Sequence, residues 1–564
     1  MRIGFIVCVD DEIEKGQMFG IKYMPVWAFT LASYLKDFEN LETFLYDTRI
    51  EKKSQTPKAD FYFISGINQD EEALLDYQKT LKAKYPKAKL ILGGPIVSSF
   101  HLAGKIERLN AFDHLFMGDG ENAIGPLVQS LMNNKSLPHV IENKVKFAIK
   151  NARTMDFELV SKSIHEYYGG VVEVSRGCPF LCEFCDIRTK PDNNVASNKD
   201  VSLIVSELNQ FSKLGVTNIL FACDNFIGTP TWAEALCDAI IEWKKTSGFN
   251  PRLYTWLTIN VSDHPRLLQK LKLAGFDMFF IGIESFGTDQ LLETAKLQNI
   301  KHDMVDTIKS IQSYGFIIVA GLIFGFDTDK DDVVDRALRG IKESGLISGD
   351  PSLLTALPGT PLYRRMEKSG RLRRGKLGLG GKKYATNILY LRSQSQMIED
   401  FIRFVHEFNA PTFQYERFEN FLKTLGPSLD QSEGDGYINV PKILKDVMKS
   451  STSFFSATRR LTGVLNSPEK VKVVIRAYRK TKATPNAKMT HFYFWLFNWS
   501  NSILKYGNLS AEDFDIDSVS RDFNLKDIIP EDYETDFFEP IPVGKIRSQR
   551  QATIRALKKI SHAQ

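Results

Sequence analysis

Cysteine is scarce in this chain. Six cysteines among 564 residues are too few for a disulfide scaffold, which excludes the small disulfide-stapled secreted classes. Histidine is scarce as well, with nine in all and none before His101. Neither sign of charge dominates. The 73 Lys and Arg stand against 68 Asp and Glu, a net of +5, which by itself implies no nucleic-acid partner. Long apolar runs are missing: the longest, Phe316–Phe326, falls short of the roughly 20 residues of a membrane-spanning helix. The opening Met1-Arg-Ile-Gly-Phe-Ile-Val has neither the apolar length nor the cleavage site of a signal peptide. The expectation is a cytoplasmic protein in a reducing compartment, with peripheral membrane contact left open. A chain of 564 residues exceeds one hydrophobic core and suggests about three or four domains.

The few cysteines are not scattered. Cys178, Cys182 and Cys185 lie in Ser175-Arg-Gly-Cys-Pro-Phe-Leu-Cys-Glu-Phe-Cys185, just after a predicted strand over Val171–Val174. Three thiolates in one loop suit an iron–sulfur centre or zinc. A structural zinc site normally closes with four ligands, often as two Cys-x-x-Cys pairs. No second pair exists, because Cys8, Cys223 and Cys237 stand alone. The loop is therefore a metal site that lacks a fourth ligand.

Upstream, strands are predicted at Ile3–Val9, Leu41–Tyr46, Ala59–Ser65, Lys89–Leu92 and Leu115–Met117. Helices alternate with them, the first over Met24–Leu35. That alternation argues for a Rossmann-like open parallel sheet over residues 1–150. Ligands of such sheets bind beyond the carboxyl ends of the strands. Here those ends carry Ser65, then Gly93, Gly94 and Pro95, then Gly118, Asp119, Gly120 and Glu121. Glycine there lets a bulky ligand approach the backbone, although each could equally serve only its turn.

Downstream, the strand–helix alternation continues at the spacing of a (β/α) barrel. Strands are predicted at Val171–Val174, Asn218–Ala222, Leu253–Leu257, Met278–Ile283, Ile317–Leu322 and Leu353–Ala356, six in all, over residues 165–370. Polar residues at the carboxyl ends of barrel strands are where a site is expected. Cys223, at one such end, could be a hydrogen-atom donor, an extra ligand or simply a small apolar filler.

Residues 371–435 read as a connector and a helical extension. Arg371–Lys383 is basic and glycine-rich, a mobile loop or a boundary. Helices follow over Met397–Phe408 and Thr412–Leu425. Residues 436–564 are expected to be mostly helical, with a basic helix at Val471–Lys482 and the aromatic run His491–Trp499. Basic charge beside aromatics could dock on an anionic membrane or line an apolar substrate channel. The aromatics could equally be a buried packing face, and the segment from Ala511 partly ordered surface.

The Cys-x-x-x-Cys-x-x-Cys spacing, with aromatic Phe184 before the last cysteine, resembles the radical S-adenosylmethionine (SAM) superfamily. The first 150 residues resemble the cobalamin-binding domain that precedes the barrel in many of its members. The run Leu354–Tyr363, Thr386-Asn387 and Tyr415-Glu-Arg417 resemble a branch that includes hopanoid C-2 methylases and relatives of unassigned substrate. The resemblance implies a [4Fe–4S] cluster held by Cys178, Cys182 and Cys185, with SAM chelating the fourth iron. Reductive cleavage would yield a 5′-deoxyadenosyl radical. It further implies that Phe184, Asp224, Asn225, Glu284, Ser285, Gly321, Ile323 and Gly325 contact SAM, and that the glycine-rich strand ends hold cobalamin. The chain departs from the cobalamin domains of mutases, which use an Asp-x-His-x-x-Gly loop, so no imidazole ligand to cobalt is expected from that loop. The implied activity is methyl transfer to an unactivated carbon of a small-molecule or lipid-like substrate, with an electron donor such as flavodoxin or ferredoxin. Radical oxidation, cyclisation or rearrangement without methyl transfer is the alternative. An RNA-modifying iron–sulfur protein is a further one, against which the even charge stands, and simple electron transfer suits an open iron poorly.

Overall fold

The computed structural model describes residues 1–10, 22–190, 193–373, 384–427 and 463–516. The glycine-rich part of the Arg371–Lys383 connector, and residues 436–462 and 517–564 of the tail, lie outside the described residues. Among the described residues no helix is long and apolar enough to cross a membrane.

Strands Arg2–Val7 (β1), Glu42–Asp47 (β2), Phe61–Ser65 (β3), Lys89–Gly93 (β4), His114–Met117 (β5) and Val140–Glu142 (β6) form one sheet in the order β2-β1-β3-β4-β5-β6. All neighbours run parallel. β1 and β3 are wholly or almost wholly buried, as expected of strands covered by helices on both faces. The order reverses beside β1, and at such a switch point the connections leave in opposite directions and open a crevice at the carboxyl ends. The sequence reading stops at Leu115–Met117; β6 is an addition. It is three residues long, sits at the sheet edge and exposes its residues in part, so it has no hydrophobic pattern to betray it. Among the described residues the first helix is Val26–Ser33, entered through Pro25.

The central domain starts with Gly170–Glu173 (β7). The two-residue strands Ser175–Arg176 (β8) and Ser197–Asn198 (β9) pair antiparallel and close the base of the cysteine loop. Strands Asn218–Ala222 (β10), Arg252–Trp256 (β11), Phe276–Glu284 (β12), Ile317–Phe324 (β13) and Ser348–Leu353 (β14) complete a parallel six-stranded sheet with β7, in the order β14-β13-β12-β11-β10-β7. The count of six agrees with the partial barrel expected. The last barrel strand lies at Ser348–Leu353, starting five residues before the Leu353–Ala356 expected, and it contains Pro351. Proline has no N–H to give a ladder, yet an edge strand needs to pair on one side only, and β14 pairs with β13 alone.

The apolar run singled out as the longest is β13, between β12 and β14 and buried along almost its whole length. Helices Gln394–Asn409 and Pro411–Thr424 pack against the barrel's outer side. Helices Pro468–Ala483 and Met489–Tyr506 follow. The aromatic run is a packing face: Phe492, Trp495 and Trp499 are buried in a second core with Phe418, Phe421 and Ile317. The basic helix keeps Lys472, Arg476, Arg479 and Lys482 exposed. Tyr384–Ala385 (β15) pairs with Phe514–Asp515 (β16).

Candidate functional site

The cysteine loop is built by backbone geometry first. Gly177 has φ +93°, and a Cβ there would lie 2.4 Å from the Val195 carbonyl oxygen, so only glycine turns the chain here without strain. Its N–H donates to Asp224 Oδ2 at 2.6 Å, and the Cys178 N–H donates to the Asn193 carbonyl at 2.9 Å. The thiols then meet donors. Asn225 Nδ2 lies 3.8 Å from Cys178 Sγ, and Gln298 Nε2 lies 3.6 Å from Cys182 Sγ. Lys296 sits over the Phe184 ring at 5.8 Å and pairs with Glu284 at 2.6 Å; its ammonium acts on all three sulfurs. Amide donors and a cation around three sulfurs suit an anionic sulfur-rich centre.

Burial, with Cys182 nearby, pushes the Cys178 thiol up to about 11, against the pull of Asn225 and Lys296. Burial raises Cys185 too. Such thiols give up their protons to a metal, not to water at neutral pH. Among the described residues no three His, Cys, Asp or Glu side chains close around a single ion. Three cysteine sulfurs with amide donors and a lysine beside them are a donor set suited to a sulfur-rich cluster rather than to a closed four-ligand zinc site.

The residues assigned to SAM have different surroundings. Asp224 spends Oδ2 on the loop backbone and on Asn193. Asn225 is almost fully buried and accepts from Thr258 Oγ1 at 3.3 Å. Glu284 has φ +63°, a left-handed conformation costly for a residue other than glycine. It follows an irregularity in the β12–β13 register that Asn299 braces by donating to the Gly282 and Ile283 carbonyls. Ser285 accepts from the Gly287 N–H. Gly321 lies against Phe280, and Ile323 shares a small cavity with Glu284 and Ser285. Gly325 turns at φ +102° against Tyr390. Cys223 lies between strands, its Sγ 3.3 Å from Thr255 Oγ1 and 3.4 Å from the Trp256 carbonyl, with its thiol pushed up to about 12 by burial. That is a packed position between β10 and β11.

The second feature is a cavity of about 670 Å³ at the carboxyl ends of the N-terminal sheet. Ser65, Gly93, Gly94, Pro95, Gly118, Asp119, Gly120 and Glu121 all line it. The sequence reading missed its opposite wall, which comes from the barrel through Val171, Leu220, Ala222 and Trp256. It also missed Tyr23 and Trp27. Alternate residues of β7, β10 and β11 point to one face, so those barrel residues were findable once the two sheets were known to face each other. The cavity falls within the size range of cofactor pockets, and its glycine floor leaves room for a broad planar ligand.

Arg176 joins the two features. Its guanidinium bonds Glu173 through Nε at 2.7 Å and Nη2 at 2.8 Å, pairs with Glu121 and reaches Asp119 at 3.5 Å. All four residues line the cavity, and Arg176 precedes Gly177-Cys178 directly.

Comparison with known proteins agrees with this geometry. Residues 172–341 match the radical SAM superfamily model, and residues 360–465 match a domain of unknown function, DUF4070. The chain is 29% identical over 355 residues to a hopanoid C-2 methylase of Rhodopseudomonas palustris, covering 62% of this chain and 65% of that one. It thus spans just under two thirds of that relative's length. It is 25% identical over 406 residues to an uncharacterized methyltransferase of Synechocystis sp., covering 72% and 74%. Its fold is similar to that of the cobalamin-dependent SAM radical enzyme OxsB, with a TM-score of 0.55 at 13% identity over 99% of this chain and 84% of that one. The loop of three cysteines and strands β10 to β13 of the parallel sheet thus lie in residues 172–341, the segment that matches the radical SAM superfamily model.

Proposed function

We propose that the protein is a cobalamin-dependent radical SAM methyltransferase acting on an unactivated carbon of a small-molecule or lipid-like substrate. One observation carries this reading: a cavity lined by every glycine-rich strand end of the N-terminal sheet opens on the barrel face and is tied by Arg176 to the cysteine loop. When bound, the iron–sulfur cluster with SAM supplies a radical initiator, and cobalamin supplies a transferable methyl group. In this reading Cys178, Cys182 and Cys185 hold the cluster. Asn225, Gln298 and Lys296 stabilise the sulfur charge, and Asp224 fixes the loop that carries Cys178. The Lys296–Glu284 pair and Ser285 stand where the polar end of SAM would be bound, beside Phe184. Gly321, Ile323 and Gly325 would offer β13 and its turn to the adenine. The eight residues at the strand ends would hold cobalamin, with Trp256 and Tyr23 limiting access of water from the barrel side. The substrate would lie between the two sites, beside the barrel residues Leu220, Ala222 and Trp256 that line the cavity.

The relatives' named substrates favour an apolar polycyclic or lipid-like molecule, since one relative is a hopanoid methylase. An external reductant such as flavodoxin or ferredoxin is part of the proposal. A second reading, radical cyclisation without methyl transfer, is favoured by similarity to an anaerobic magnesium-protoporphyrin IX monomethyl ester cyclase.

The test is an anaerobic assay of reconstituted protein with SAM and a reductant, scored for S-adenosylhomocysteine, 5′-deoxyadenosine and methylated product. All three are expected. Deoxyadenosine without S-adenosylhomocysteine would sink methyl transfer in favour of the second reading. Cys182→Ala should lose bound iron and all SAM cleavage, whereas Cys223→Ala should retain both.

A further inference from the structure

Glu183 lies inside the metal motif, between Cys182 and Cys185, and every polar group it has is held by distant chain. Its N–H donates to the Thr294 carbonyl at 2.9 Å, and its carbonyl accepts from the Leu362 N–H at 3.1 Å. Its two carboxylate oxygens each accept from Arg365, at 2.9 Å and 2.9 Å. The two side chains are 5% and 6% exposed. Arg365 and Leu362 belong to the helix Pro361–Lys368, beyond the barrel strands.

Arg365 is braced in turn. Nη1 meets Asp327 at 3.1 Å, and Nη2 meets Glu293 at 3.4 Å. Asp327 also accepts two bonds from Arg371, at 2.8 Å and 2.7 Å. Glu293 accepts from the Thr328 N–H and hydroxyl. Arg371 itself is held by the Leu389 carbonyl at 2.9 Å. Five charged groups, four of them buried and Asp327 partly so, thus run from the cysteine loop to the start of the C-terminal region.

A network of this kind is a poor source of stability. Desolvating buried charges offsets most of their attraction, and an apolar replacement of similar volume is often neutral or better. What a two-point guanidinium–carboxylate pair does supply is fixed position and orientation. The segment it fixes is the one that sets Cys182 against Cys185.

We propose that Arg365 is a positioning residue for the iron–sulfur site: through Glu183 it holds the Cys182–Cys185 segment in its cluster-binding shape. The helix Pro361–Lys368 is then part of the cluster-binding unit, although it touches no cysteine motif in sequence. The proposal rests on the iron–sulfur reading of the loop.

The experiment compares full-length wild type, Arg365→Met, Arg365→Lys and the double variant Glu183→Met/Arg365→Met, each reconstituted anaerobically. Iron and sulfide per chain, the electron paramagnetic resonance spectrum of the reduced cluster with and without SAM, and the lifetime of the cluster absorbance in air are measured beside thermal unfolding. Arg365→Met should hold less iron and lose it several-fold faster in air, with Arg365→Lys intermediate. The double variant removes Glu183 with its partner and leaves Glu293 only its hydrogen bonds from Thr328; it should unfold closer to the wild-type temperature than Arg365→Met yet keep the short cluster lifetime and an altered spectrum. Wild-type iron, spectrum and lifetime in the double variant would overturn the proposal. So would unfolding of both methionine variants, which would leave the network a purely structural role. A wild-type chain that takes up no iron would strike down the iron–sulfur reading first, and this proposal with it.

Discussion

Arg176 and Glu121 are ion-paired across the seam between the two sheets, one beside the cysteine loop and the other on the cavity rim. Glu121 is buried and Arg176 is 21% exposed at its side chain. Removing one partner of such a pair costs about 2–4 kcal/mol, because the other charge stays buried alone. Arg176→Met should therefore lower stability by about that amount and weaken cobalamin uptake about tenfold, a change worth roughly 1.4 kcal/mol. Equilibrium titration of cobalamin and denaturant melts check both. Arg176→Lys should recover part of the stability, since a point charge cannot serve Glu173 and Glu121 with the same geometry.

Gly93 offers a way to fill the cavity without disturbing the fold. A Cβ there meets only Phe116 atoms, at 3.8 Å and 3.9 Å, and Gly93 lines the cavity. Gly93→Phe should leave the unfolding temperature nearly unchanged and reduce cobalamin binding at least about tenfold. Gly118 is the contrasting case: its φ is +101° and a Cβ would lie 2.2 Å from the Asn143 carbonyl oxygen. Gly118→Ala should destabilise the fold by about 2 kcal/mol or more, with or without ligand. Parallel melts and binding titrations separate the two effects.

His491 makes the second core sensitive to acid. It packs edge-on to Phe421 at 5.2 Å, and its Nδ1 accepts from the Lys488 N–H at 3.2 Å. Burial lowers its imidazole to about 3, helped by the Lys272 and Lys488 ammonium groups and opposed by Asp277 and the Gly315 carbonyl. The folded protein keeps the ring neutral, while the unfolded chain protonates it below about 6.5. Its contribution is therefore complete above about pH 6.5 and is lost as pH falls toward about 3, at roughly 1.4 kcal/mol per pH unit. Between about pH 7 and about pH 5.5 the wild type should lose stability faster than His491→Gln, by about 1.4 kcal/mol in all. Denaturant melts at the two pH values measure the difference.

How much of this was legible depends on how local each signal is. Cys178, Cys182 and Cys185 announce themselves because their motif is written in eight consecutive residues. The cavity's glycines were readable because tight approach to backbone constrains residue type, and all eight strand-end residues line one space. Trp256 and Ala222 were not readable as cavity wall, since that duty exists only once β10 and β11 face the other sheet. Arg365 was invisible for the same reason, being 182 positions from the Glu183 it grips. Pro351 stands within β14, where a strand paired on one side only tolerates proline, and the strand expected at Leu353–Ala356 starts beyond it. The strand at Val140–Glu142 is too short and too exposed for any period to register.

That edge has a consequence for the protein's solubility. β14 carries Ser348 and Asp350, and both are occupied by the helix Met489–Tyr506: Ser348 Oγ meets Asn498 Oδ1 at 3.0 Å, and Asp350 takes Lys505 Nζ at 2.7 Å and the Tyr506 hydroxyl at 3.4 Å. An unguarded sheet margin is a template on which a second molecule can add a strand. Proline at its middle and a helix strapped beside it make this margin a poor template. The C-terminal helices thereby act as a guard against self-association as well as a second core, and the open side of an incomplete barrel is kept from recruiting another copy of itself.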